Sequence, residues 1–177
     1  MKILKSLFVL FIAISLSSCS SETSAPTYPL SLANIAGTYN IQSLSVSTDI
    51  NTTTSNGLSI KVATASLVGD IFQIDLVMNT DGTYTAKGAY TTTYRLSPVA
   101  GPGVEEVKIV NIDYSGNFAL NTVDNRITFS GGLLQDLSGT LEFQTFNETS
   151  FSLFQEIDLN VGSNVETAKT AVSFIRK

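Results

Sequence analysis

From Thr83 to Arg95 the side chains alternate between two characters at every step, and a run of that length specifies an extended strand with one face turned to a core. Tyr84, Ala86, Gly88, Tyr90, Thr92 and Tyr94 share one face, while Thr85, Lys87, Thr91 and Arg95 share the other. The same period returns where Phe72, Ile74, Leu76 and Met78 alternate with Gln73 and Asp75. Leu141 and Phe143 alternate with Glu142 and Gln144, and Phe151 and Leu153 follow in the next run. Turn formers separate these runs at Asn79-Thr80-Asp81-Gly82, Gly101-Pro102-Gly103, Asn125-Arg126 and Asn147-Glu148-Thr149. Asp81-Gly82 is a hairpin signal, because glycine takes positive φ without steric cost.

Between Ile35 and the C-terminus the chain is dense in Val, Ile, Thr, Tyr and Phe and poor in the charged residues that dress helices, so an all-β fold is predicted. About nine strands are expected, near 37–46, 58–66, 70–78, 83–95, 104–113, 115–121, 126–130, 138–146 and 150–157, with a tenth near 170–176. That spacing fits an antiparallel up-and-down β-barrel, with a β-sandwich as the alternative. Val165 to Lys169 is the one helical candidate, and Ser45 to Asn56 reads as a long hairpin tip or strand edge.

The N-terminus has a different grammar. Lys2 and Lys5 precede an apolar run from Leu7 to Leu16, broken only by Ser15, and then Ser17-Ser18-Cys19. This is the layout of an export signal, and the run is shorter than the ~20 apolar residues that span a bilayer. Leu16-Ser17-Ser18-Cys19 resembles the bacterial lipobox, in which the thiol receives a diacylglyceryl group before cleavage. That resemblance implies lipidation at Cys19, with 1–18 as signal peptide, 19–29 as a flexible tether and 30–177 as the folded domain. Two or more acyl chains hold a protein durably to a membrane, so the implied partner is a lipid bilayer. Ser20 after the cysteine does not resemble the Asp that retains many lipoproteins at the inner membrane, so an outer-membrane location is expected, facing either the periplasm or the exterior.

Loss of Lys2 and Lys5 with the signal leaves 8 Lys and Arg against 15 Asp and Glu, a net charge of −7. Such a surface argues against nucleic acid as a partner, because phosphate backbones demand clustered cations. Cys19 is the only cysteine, so once it carries lipid no disulfide can form and stability must come from packing.

Gly37-Thr38-Tyr39-Asn40-Ile41 resembles the opening Gly-x-Trp/Tyr segment of lipocalin-like domains, with Tyr39 at the aromatic position. Together with Asn79 to Tyr84, Ile127-Thr128-Phe129 and the closing Ala171 to Arg176, the pattern is similar to the small lipocalin-like lipoproteins of Bacteroidetes. The resemblance covers about 37–177 and implies a closed barrel whose interior holds one small apolar molecule.

Catalytic chemistry finds little to work with. The chain has no histidine, which excludes Ser-His-Asp and Cys-His sites and the usual zinc sites, and no cofactor or metal is expected. Glu105, Glu106, Asp113, Glu142, Glu148, Glu156 and Asp158 are read as solvated surface rather than paired catalytic acids. Six aromatic residues, Phe72, Tyr84, Tyr90, Tyr94, Phe143 and Phe151, are candidates to line a ligand cavity or else to fill the core. Two functions stay open on this reading, and neither is enzymatic: a tethered module for a small hydrophobic ligand, and an envelope protein-interaction module with a solid interior. A void of about 300 Å³ or more separates them.

Overall fold

The computed structural model describes residues 28–134, 137–161 and 164–177. The export signal, Cys19 and the tether up to Thr27 lie outside the described residues. A short helix α1 (Leu32–Ile35) leads into β1 (Gly37–Thr53), β2 (Ser59–Met78), β3 (Thr83–Pro98) and β4 (Val104–Asn121). Four shorter strands follow: β5 (Arg126–Leu134), β6 (Leu137–Phe146), β7 (Ser150–Val161) and β8 (Asn164–Arg176). Each strand pairs antiparallel with the one before it, and β8 returns to pair with β1. The result is an all-β, closed, antiparallel up-and-down barrel of the lipocalin-like kind, and a β-sandwich is ruled out because one continuous sheet closes on itself. Every strand finds both neighbours within residues 37–176, so the barrel is a folding unit with its own core.

The strand count departs from the sequence reading for identifiable reasons. The expected break between 66 and 70 lies inside β2, where a bulge between Asp70 and Gln73 bends one long strand. Ile71 takes a φ of 50° there, and its N–H donates to Asp70 Oδ1 at 2.7 Å. Gly88 on β3 makes the bend possible, because a Cβ at that position would stand 1.9 Å from the Gln73 carbonyl oxygen. Asp113 to Gly116 similarly continues β4 without a break, so two expected pairs of strands are two strands. The expected helix at Val165 to Lys169 is part of β8, held in register by β7 and by β1. Most of the Ser/Thr-rich stretch after Ser45 is β1 itself, which runs to Thr53 before the turn.

Apolar packing is concentrated at the end of the barrel where α1 sits. Ser31 caps the helix by accepting the Asn34 N–H at 3.2 Å, and Ile35 is fully buried. Phe151 stacks on Phe174 with centroids 4.4 Å apart and meets Tyr39 edge-on at 4.9 Å. Tyr84 meets Phe129 edge-on at 5.2 Å. Burial of each such ring stabilises the fold by roughly 2–3 kcal/mol. Tyr28 joins this end, its ring packing on Phe146 at 5.2 Å and its hydroxyl donating to the Asn34 carbonyl at 3.0 Å.

Candidate functional site

Unequal strand lengths create a hollow at the opposite end. β1 to β4 are long, whereas β5 and β6 pair over a short span and β4 meets β5 only from Asn117 to Asn121. Val104 to Gly116 of β4 therefore pair with β3 alone, and the last residues of β7, from Gln155 to Val161, make their ladder with β8 alone. Between these two strands the upper wall lacks a backbone ladder. The β5–β6 hairpin fills the space below it. Gly131, at a φ of 103°, begins the departure of β5 from its ladder, and the Tyr84 hydroxyl donates to the Gly132 carbonyl at 3.0 Å. Leu133, Leu134 and Leu137 are buried as a consequence.

Above that hairpin lies a cavity of about 670 Å³. Leu44, Val46, Leu67, Leu137, Ile157 and Ala168 supply its apolar wall. Thr92 and Thr170 contribute buried hydroxyls, and Tyr94, Glu106 and Lys108 stand toward the mouth. Ile157 and Leu159 face the cavity yet remain 41% and 38% exposed, as does Tyr94 at 37%. Inward-facing apolar groups that still meet water form a concave apolar surface available for burial. The Lys108 ammonium lies 2.9 Å from Glu106 Oε1, an exposed pair on the β4 lip of the opening. On β8, Glu166 precedes Ala168 by two residues on the same strand face and is only 7% exposed. A second hollow of about 400 Å³ lies on the outer face between Asp49, Glu156, Thr167 and Lys169, and its walls are polar.

The six aromatic candidates separate by depth. Tyr90 and Tyr94 line the cavity, and Phe72 stacks on Tyr90 with centroids 5.5 Å apart, where Gly69 leaves room for its ring. Tyr84, Phe143 and Phe151 belong to the packed half: Phe143 touches Phe151 at 5.9 Å, and burial pushes the Tyr84 hydroxyl pKa upward. Face alternation told inside from outside, but it carries no information about height along the barrel. Glu106 is exposed, as expected of a solvated acid, and it also lines the cavity, which the same alternation indicates. Counting back from Ile112 through Val110 brings Lys108 and Glu106 to the interior side.

Among the described residues no group of three His, Cys, Asp or Glu side chains is placed to hold a metal ion. Comparison with protein-family models, curated proteins and solved structures returned no match.

Proposed function

We propose that this chain is a membrane-anchored lipoprotein whose barrel holds a small hydrophobic molecule in the 670 Å³ cavity. The observation that carries the reading is the apolar wall whose inward residues Ile157 and Leu159 stay about two-fifths exposed. Covering them with a ligand removes apolar surface from water at about 25 cal/mol per Å². The volume lies well inside the ~300–1,000 Å³ of small-molecule sites, which favours a ligand carrier over a partner-binding module with a solid interior. Lipid on Cys19 would keep the barrel at a membrane, the outer membrane on the reading of Ser20, where it could shield an apolar compound passing between phases. No catalytic role is proposed.

Two measurements test this. Native mass spectrometry of the mature chain purified from the envelope should show a co-purifying lipid-sized mass, or residues 28–177 produced without lipid should take up the neutral fluorophore N-phenyl-1-naphthylamine. A clean apo mass together with no uptake overturns the carrier reading. Labelled palmitate should enter the wild-type chain and not Cys19→Ala, and equal labelling or equal membrane partition of the two overturns the anchor.

A further inference from the structure

We propose that the cavity selects a single-chain amphiphile whose head carries no net negative charge, and that Glu106 is the residue that turns carboxylates away. This rests on the carrier reading and adds a chemical class to it. The cavity-lining face of the β4 lip carries one cation and one anion, Lys108 and Glu106, paired at 2.9 Å, while Glu105 pairs with Arg95. Among the described residues that line the cavity, Lys108 is the only cation. Glu166 adds a further carboxylate on the interior side of β8, next to Leu159 across the β7–β8 ladder.

A fatty acid seated with its chain against Leu44, Leu67 and Ala168 would bring its carboxylate to this rim. It would compete with or crowd Glu106 at Lys108, leaving two carboxylates side by side at the rim, with a third on the interior side of β8 at Glu166. An uncharged head leaves the Glu106–Lys108 pair intact. Hydroxyl and ester groups would also find polar neighbours that carboxylate repulsion does not touch, because Thr92, whose hydroxyl donates to the Lys108 carbonyl at 3.5 Å, and Thr170 line the wall and Tyr94 stands beside Glu106's strand position. Rejection by like charge, rather than stronger attraction, is how such a rim would discriminate. The unladdered wall between β4 and β7 lets the acyl chain slide in sideways, with its head left at the charged β4 lip and its stem crossing Ile157 and Leu159 on β7.

The test is competition against N-phenyl-1-naphthylamine bound to residues 28–177, comparing 1-monopalmitoylglycerol with palmitate below their aggregation concentrations. The wild type should prefer the monoglyceride by about fivefold or more, the ratio expected of one like-charge contact at a partly exposed site. Glu106→Gln should raise palmitate affinity about fivefold and narrow that ratio, Glu166→Gln should move it in the same direction, and Lys108→Met should weaken palmitate further. Palmitate binding as well as the monoglyceride, or a ratio that neither glutamine variant narrows, overturns the selection while leaving the carrier reading intact. If the fluorophore and both amphiphiles fail to bind, the carrier reading falls and this inference falls with it.

Discussion

Arg176 Nη2 donates to the Tyr39 hydroxyl at 2.7 Å while the guanidinium carbon stands 5.0 Å from the centroid of the same ring, so one side chain engages both the edge and the face of the other. The Tyr39 hydroxyl in turn donates a hydrogen bond to the Ile35 carbonyl at 2.7 Å. Arg176 also donates from Nη1 to the Ala36 carbonyl at 2.8 Å and from Nη2 to the Asn34 carbonyl. The last strand thereby ties α1 and the first strand together and seals the closed end of the barrel. Arg176→Met should remove the donor to the Ala36 carbonyl and to the Tyr39 hydroxyl oxygen, leaving Asn34 O with Tyr28 alone, and destabilise the barrel by about 2–4 kcal/mol, read as a lower urea midpoint. Arg176→Lys should recover only part of that loss, since an ammonium cannot reproduce the planar fork. A midpoint unchanged in the Met variant would mean that the seal contributes nothing.

Burial pushes the Tyr39 pKa from 10.0 up to about 12, against a smaller lowering by Arg176. The folded state keeps this phenol protonated after the unfolded chain has begun to lose its proton. The stabilisation is therefore whole below pH 10 and is lost as pH rises toward 12, by roughly 2–3 kcal/mol. Tyr39→Phe should flatten this part of the alkaline stability curve while costing about 1 kcal/mol at neutral pH for the lost hydrogen bonds. Urea midpoints measured from pH 8 to pH 12 check it, and parallel curves for the two proteins would refute the assignment.

Gly88→Ala places a methyl group 1.9 Å from the Gln73 carbonyl oxygen at a φ of 144°, so both the contact and the backbone conformation oppose it. The neighbour is backbone at the β2 bulge and cannot swing aside. A loss of about 3 kcal/mol or more, or failure to fold, is expected. Gly57, whose added Cβ would meet nothing within 4 Å, provides a comparison in a turn at a φ of 80°. Gly57→Ala should show only the smaller backbone cost, about 1 kcal/mol.

The alternation of Tyr84 to Thr92 and of Ile74 to Met78 was legible because one buried face imposes a period of two, and both runs lie in the wall as the sequence indicates. The hairpin at Asp81-Gly82 was legible for the same local reason, with Gly82 at a φ of 82°. What local chemistry could not distinguish was a turn from a bulge. A break is expected between 66 and 70, yet the pairing of β2 with both β1 and β3 carries the strand through it. The closing strand was obscured likewise, since Val165 to Lys169 has weak helical character that two flanking ladders override. The cavity was illegible at a deeper level. It arises because β5 and β6 are shorter than β1 to β4, and no single strand's pattern records the lengths of its partners.

The two halves of the interior should respond oppositely to a change of volume. Phe174 is fully buried and stacked on Phe151, so Phe174→Ala should cost about 3–5 kcal/mol by opening a void in a packed region. Ala168 lines the cavity, and Ala168→Trp sends an indole into open space rather than into neighbours. Its stability should stay within about 1 kcal/mol of the wild type, because the 1–3 kcal/mol cost of overpacking applies only where no room exists. The same variant should lose uptake of N-phenyl-1-naphthylamine. Destabilisation of Ala168→Trp to the degree of an overpacked core would show that the hollow closes in solution, and unimpaired uptake would move the ligand elsewhere.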